Sequence, residues 1–388
     1  MIEPLELPTA ILDGSIIDEW LREMAKVNAS DMFISSSNRI MLDRYNEKIQ
    51  WSDRELRYEE VLRISEHIYG SDPTSQINAK KPINCPYGCE KIELSNGGIG
   101  RSGVRLKDAN NLLRFRVNLT SCENPNQRGI VIVIREIPVD PPRAEDVGLD
   151  EKLIREIRST NQGMVLVCGA TGSGKSTSLA AINRTFLEDP NGNQHLVTIE
   201  HPIEFTFFTV NKPSSIVHQL QVGRDVSSFA EGVSDALRKD PSIILVGESR
   251  DRETVEASME AALTGHLLES TVHANKAAVT MKRMTMVFDE GERSEAQITL
   301  CDSMKIIIAQ TLVKGLELPR VAVRETLIFD SDVNNRLAYA KNISHETQKC
   351  VEEYGVPMAE HAFQLYKDRK ISSDELEKIQ KNYKVLGK

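Results

Sequence analysis

Gly169-Ala170-Thr171-Gly172-Ser173-Gly174-Lys175-Ser176-Thr177 fits the phosphate-cradling pattern GxxxxGK[ST]. Glycines there let backbone N–H groups turn onto phosphate oxygens with no Cβ in the way. A lysine at the place of Lys175 reaches the β- and γ-phosphates, and a hydroxyl at Ser176 ligates Mg²⁺. Before the loop, Met164-Val-Leu-Val-Cys168 reads as a buried strand set off by the turn-like Asn161-Gln-Gly163. After it, Ser176 to Phe186 reads as a helix whose positive end faces the same anion. Strand, glycine loop and helix in that order point to a nucleotide site, with ATP and Mg²⁺ as the expected ligands.

Outward from the loop, helices and strands alternate from Val147 on, which implies an α/β fold with a parallel sheet. Helices are predicted at 149–159, 227–238, 252–263, 277–288 and 294–310, and strands at 196–199, 242–246 and 267–272. A strand pair around Val321 to Leu327 completes this domain, 147–340, and 341–388 reads as a polar helical tail. Ser372-Ser-Asp-Glu375 resembles a capping box within it.

Upstream, residues 1–137 read as a smaller α+β domain. Ile16, Ile17, Trp20, Leu21 and Met24 fall at helical spacing, Tyr58 to Tyr69 is helical, and 32–35, 39–45 and 47–51 read as strands. Residues 71–110 look like a long insertion or mobile loop. Leu113, Phe115, Val117 and Leu119 alternate with Arg114, Arg116 and Asn118, and Ile130 to Ile134 follows as a buried strand. The prolines of 138–146 mark a short, stiff linker.

The chain has 388 residues, 40% hydrophobic, with net charge −9. That charge argues against a surface for nonspecific phosphate-backbone binding, so no direct nucleic-acid contact is expected. The acidic start, MIEPLELPTAILDGSIIDEW, does not read as a secretory signal, and no run is long enough to span a membrane. A cytoplasmic protein is expected. Of six cysteines, only Cys85-Pro-Tyr-Gly-Cys89 form a close pair. They read as loop thiols, with a metal or redox role as the alternative.

In an open α/β sheet, ligands bind beyond the carboxyl ends of the strands. The residues just past each predicted strand are therefore informative. Glu200, His201, Pro202 and Glu204 come after one, Gly247, Glu248, Arg250 and Asp251 after another, and His273 after a third. Glu248 is the best placed to hold or polarise an attacking water and to assist Mg²⁺ through water; a helix N-terminal acid complementing the dipole is the plainer alternative. Glu200 or Glu204 could orient water or metal, but Pro202 keeps them off one helix face. His273 reads either as a γ-phosphate sensor or as a structural histidine, and His266 as a helix-end cation or core histidine. Arg114 and Arg116, with Arg128 and Arg135 nearby, form either a solvated strand face or, in a ring, fingers reaching a neighbour's nucleotide.

Four segments in order resemble the secretion ATPase superfamily that drives type II secretion, type IV pilus retraction and type IV secretion. The glycine loop is its Walker A. Thr198-Ile-Glu200-His201-Pro202-Ile-Glu204-Phe205 resembles its aspartate box. Leu237 to Asp251 resembles its Walker B box, and Ala262 to Ala274 its histidine box. Ala29-Ser30-Asp31, Arg114-Phe115-Arg116-Val117-Asn118, Arg135-Glu-Ile137-Pro138, Asp302-Ser303 and Ala309-Gln310 fit the pilus-retraction type. The likeness covers about residues 20–330 and is greatest to the pilus-retraction-like ATPases of type IVB (Dot/Icm-like) secretion and IncI-type conjugation systems. It implies a RecA-like ATPase domain behind a PAS-like N-terminal domain, assembled as a homohexamer. It implies partners among inner-membrane components, which would recruit the ring to the cytoplasmic face, and ATP hydrolysis that swings one domain against the other. It also implies Glu248 and Glu200 as catalytic carboxylates, His273 as sensor, and Arg114 or Arg116 as fingers. Three features depart from the family: His201 stands where an acid is usual, 84–110 has no counterpart, and the tail lacks the short retraction signature. A nucleic-acid translocase and a nucleotide-gated assembly module are the rival readings.

Overall fold

The computed structural model describes residues 3–45, 47–70, 73–91, 112–123, 128–137 and 140–383. It divides into two compact units, Met1–Asp140 and Pro141–Lys388.

The first unit begins with α1 (Ile16–Lys26), β1 (Asp31–Ser35), β2 (Met41–Arg44), β3 (Glu47–Gln50) and α2 (Tyr58–Tyr69). It continues with α3 (Pro73–Asn78), β4 (Ile83–Glu90), β5 (Leu112–Cys122) and β6 (Gly129–Ile137). Among the described residues these strands make one antiparallel sheet, in the order β3-β2-β1-β6-β5-β4. Alternation decides its buried face: Phe115, Val117 and Leu119 of β5 join Met32, Ile34, Ile132 and Ile134 under Trp20, Leu21 and Ile64 of the helices. Arg114 is half-buried and Arg116 exposed on the same strand.

Two expectations for 71–110 need correction. Part of this stretch is regular: α3 forms, and β4 pairs in register with β5 from Ile83 opposite Leu119 to Glu90 opposite Leu112. Cys85 and Cys89 are therefore strand residues, not loop thiols. Both pack with the core, and burial pushes their thiols up to about 11 and about 12. Edge-strand pairing, invisible in a polar sequence, orders this segment; the remainder, 92–110, lies outside the described residues.

The second unit runs α4 (Glu151–Arg158), β7 (Gly163–Cys168), α5 (Lys175–Leu187), β8 (His195–Glu200), β9 (Ile216–Gln221), α6 (Phe229–Ala236), β10 (Ile243–Val246), α7 (Arg252–Leu263) and β11 (Leu267–Val272). Then come α8 (Ala277–Met286), α9 (Arg293–Ser303), β12 (Met304–Val313), β13 (Val321–Ile328), α10 (Ser331–Ala338), α11 (Ile343–Tyr354), α12 (Met358–Lys367) and α13 (Ser373–Asn382). The sheet order among the described residues is β13-β12-β7-β11-β10-β8-β9, parallel throughout except for β13. Helices cover both faces: α4 and α5 pack with Val165, Val167 and Ile308, while α6 to α13 pack with Leu166, Val197 and Ile307. This is a RecA-like α/β core, and the first unit is the smaller α+β one.

The helix expected over 294–310 ends at Ser303. Met304–Val313 is a strand beside β7. Its β-branched run Ile306-Ile307-Ile308 suits a strand buried on both faces, and an apolar run alone does not distinguish that from a buried helix. Strand β9 and helix α10 were not expected. At residues 341–383, the helices bury Ile343, Val351, Met358, Ala362, Leu376 and Ile379 in the same core as the sheet. Ser372 caps α13 by accepting the Glu375 N–H at 3.3 Å.

An ionisable residue, Glu269, sits within this core. Glu269 of β11 is wholly buried and accepts a hydrogen bond from Asn183 Nδ2 of α5. Glu269 Oε1 and Asn183 Oδ1 have no partner among the described residues. Burial pushes the Glu269 carboxyl up to about 8, so it is held as a neutral acid at pH 7. The folded state then binds a proton that the unfolded state has released, between about pH 4.5 and 8. Stability is lost as pH rises through that window. Glu269→Gln should therefore raise the thermal midpoint by on the order of 5 °C at pH 8.5 and by much less at pH 4.5. Melting curves across that range check this; equal shifts at both pH values would refute it.

Candidate functional site

Parallel pairing aligns the carboxyl ends of β7, β11, β10 and β8. Val272 lies opposite Cys168, Val246 opposite Ser270, and Ile199 opposite Val246. The segments that leave these ends carry the candidate residues.

From β7 the chain enters the glycine loop, tied at its start by the Gly169 N–H to the Val272 carbonyl at 3.2 Å. Gly172 and Gly174 have φ of 77° and 82°, the left-handed region that favours glycine. Gly169 needs glycine for another reason: a Cβ there would overlap Ser173 Oγ and the Gln310 carbonyl oxygen. Ala170 and Thr171 are exposed, Ser173 is buried, and Ser176 and Thr177 are half-buried at the first turn of α5. Lys175 is buried and donates from Nζ to the carbonyls of Gly169 and Ala170, both at 3.1 Å. Its ammonium thus rests on its own loop. Burial lowers its pKa, while the charges of Glu248 and Glu204 act the other way.

Glu248 follows β10, and its Oε1 lies 3.5 Å from His273 Nε2 at the end of β11. Arg250 Nη1 is 3.9 Å from Glu248 Oε2. The fold therefore brings together an acid and a histidine that are 25 positions apart in the chain. Asp251, also on this segment, has a structural role. It caps α7, accepting from Thr254 N–H and Oγ at 2.9 and 2.7 Å. His266 has Nδ1 3.1 Å from the Ala261 carbonyl, a partner at the C-terminal end of α7.

Glu200 ends β8. Burial pushes its carboxyl up to about 7, and the negative charge of Glu204 adds to this. Three donors oppose the shift: Thr198 Oγ1 at 2.7 Å, the Glu204 N–H at 3.3 Å and Gln219 Nε2 at 3.4 Å. Glu204 thus meets Glu200 through its backbone, on a non-helical segment. Arg114 and Arg116 belong to the first unit and are not among the groups that the second unit assembles.

Sequence reasoning did not single out Thr198 or Gln219 as partners of Glu200. Nor did it give a role to Gln310 of β12 and Arg324 of β13, which stand against the glycine loop and α5. A usable signal existed: Gln310 and Arg324 are polar residues inside otherwise apolar strands.

The loop can receive an anion on its N–H groups and the positive end of α5, with a lysine beside it. An acid, a histidine and a second, near-neutral acid lie on the segments that leave the neighbouring strands. Residues 100–382 match the family described as Type II/IV secretion system protein. The type IV pilus retractation ATPase PilT of Pseudomonas aeruginosa is 40% identical over 224 residues, 57% of this chain and 62% of that protein. The type IV pilus ATPase PilU of the same organism is 34% identical over 280 residues, 66% of this chain and 70% of that protein. The matched part thus spans less than two thirds of the PilT relative. Among solved structures, the ATPase DotB of Legionella pneumophila aligns with 98% of this chain and 100% of its own, at 32% identity and a TM-score of 0.84. The pilus retraction motor PilT with bound ADP aligns over 95% and 97%, at 28% identity and a TM-score of 0.77. With the match covering most of its length, this chain belongs to the type II/IV secretion system protein family.

Proposed function

We propose that this protein hydrolyses Mg²⁺-bound ATP as the motor of a bacterial secretion or conjugative transfer apparatus of the type IVB kind. The observation that carries the reading is the common edge where Lys175, Glu248, His273 and Glu200 follow adjacent parallel strands. The chain-long likeness to DotB supports the type IVB assignment. The higher local identity to PilT favours pilus retraction as the second reading.

The loop fits a triphosphate. Its glycines set no Cβ beside the loop backbone, and an added Cβ at Gly169 would strike Ser173 Oγ and the Gln310 carbonyl oxygen. Lys175 exchanges its two loop carbonyls for phosphate oxygens, and Ser176 would hold Mg²⁺, with Glu248 assisting through water. Mg²⁺ supplies charge neutralisation on the phosphates. Glu248 orients the attacking water, and His273, beside it, reports the terminal phosphate. Glu200, poised near neutrality, is a second acid–base group, with Glu204 as its charged neighbour. Arg114 or Arg116 acts as a finger on a neighbouring subunit's nucleotide in a homohexameric ring. Inner-membrane partners would recruit the ring from the cytoplasm; among the described residues, no helix is long and apolar enough to cross a membrane.

Lys175→Ala should lower ATP hydrolysis at least about 100-fold. Glu248→Gln should do so by a similar factor while ATP still binds. A phosphate-release assay paired with a nucleotide-binding titration measures both, and wild-type turnover preserved in Glu248→Gln would sink the motor reading. Thr198→Val removes a donor that holds the Glu200 carboxyl down. The acidic limb of the kcat profile should move up by about 0.5–1 pH unit, and an unmoved limb removes Glu200 from the chemistry. Light scattering with ATP and Mg²⁺ should give Glu248→Gln about six times the 43.5 kDa chain mass. A monomer under those conditions would count against fingers supplied by a neighbour.

A further inference from the structure

The glycine loop is held by Gln310 of β12, which is held in turn by Arg324 of β13, on the strands beyond β7. Gln310 touches it at three points. Its Nε2 donates to the Ser173 carbonyl at 2.6 Å. Its own carbonyl oxygen fills the space a Cβ on Gly169 would need, and its Nε2 lies 3.0 Å from where a Cβ on Gly174 would be. Gln310 Oε1 accepts from Ser178 Oγ at 2.8 Å and from Arg324 Nε at 2.9 Å. Two donors on the oxygen leave the amide one sensible orientation, with its nitrogen toward Ser173.

Arg324 is itself buried, at 3% exposure. Its other N–H groups donate to the Gly148 carbonyl at 2.6 Å, the Val147 carbonyl at 2.8 Å and Ser178 Oγ at 3.3 Å. All of these acceptors are neutral. Burial brings its pKa down to about 10, which still leaves it charged at pH 7. The backbone N–H of Arg324 donates to His361 Nδ1 of α12 at 2.9 Å. Burial first, and then the Arg324 charge, pushes His361 down to about 4, so it is a neutral acceptor at pH 7. A buried cation satisfied only by dipoles costs stability unless something else uses its charge. Here that charge stands one side chain behind a loop built for an anion.

We propose that Gln310 and Arg324 are positioning residues for nucleotide binding. Gln310 holds the loop in its phosphate-receiving form. Arg324 locks the Gln310 amide and lends a buried positive charge to the site. The inference rests on the nucleotide-site reading above. It deepens that reading by extending the site to residues that touch no phosphate. Because Arg324 also clasps Val147 and Gly148, the backbone entering α4 and the loop share one anchor.

Gln310→Glu separates this role from a purely structural one. The carboxylate is nearly isosteric, still accepts from Ser178 and pairs with Arg324, so the thermal midpoint should hold or rise. It loses the donor to Ser173, neutralises the buried cation and sets a negative charge beside the loop. Titration with a fluorescent Mg²⁺–ATP analogue should show affinity falling about tenfold or more, with KM rising in parallel and kcat changing less than threefold. Arg324→Lys, the second variant, keeps the charge and loses the fork; affinity should fall about threefold. Affinity within twofold of wild type in both variants overturns the proposal. So does a loss of affinity that merely tracks a fall in thermal midpoint. A wild-type protein that does not bind the analogue removes the nucleotide-site reading itself, and this inference with it.

Discussion

Parallel pairing of β7, β11, β10 and β8 is the constraint on which the rest depends. Each strand is buried on both faces along its centre, so none can turn over or leave the sheet without disrupting a core row. Once they run in one direction, their carboxyl ends share an edge, and the segment after each strand is delivered there. Lys175, His273, Glu248 and Glu200 converge for that reason, although they are scattered over about a hundred positions of the chain. Strand β11, inserted between the strands of the glycine loop and of Glu248, is what brings His273 to the acid.

The electrostatics of the second unit depend on how deeply each charge is drawn in. Burial lowers the pKa of both Lys175 and Arg324, and Arg324, at about 10, stays charged at pH 7. Glu200 sits near neutrality, and Glu269 is pushed past it. These are opposite answers to one question, whether a group finds enough dipoles to repay lost water. Glu200 has three donors, and Glu269 has one. A cation behind the loop and a near-neutral acid on a neighbouring strand segment make a site polarised in one direction, which suits a ligand carrying several negative charges.

The helices after β13 finish the same core. Strand β13 is an edge, and an open edge invites pairing with another chain. Val356 bridges to Thr326 on that edge, Gly355 packs where a Cβ would strike the Thr326 carbonyl, and His361 takes the Arg324 N–H. Residues 341–383 therefore protect the sheet and, through Arg324 and Gln310, connect by three hydrogen bonds to the Ser173 carbonyl of the glycine loop.

Much of this was legible in the chain itself. The GxxxxGK[ST] loop between an apolar run and a helix, the alternation in β5, and the helices at Tyr58–Tyr69 and Arg252–Leu263 are local signals: spacing and propensity decide them. So is the rule that chemistry gathers past the ends of parallel strands, which picked out Glu200, Glu248 and His273. Tertiary structure alone decided everything that needs a distant partner. β4 is a strand because β5 offers it an edge, and 304–313 is a strand because β7 lies beside it. Glu269 is a neutral acid because a fully covered strand carries it, and Gln310 reaches the loop, with Arg324 behind it, because β12 and β13 lie beyond β7. Sequence patterns report what a residue prefers with its near neighbours; pairing and burial between segments far apart in the chain settle the rest.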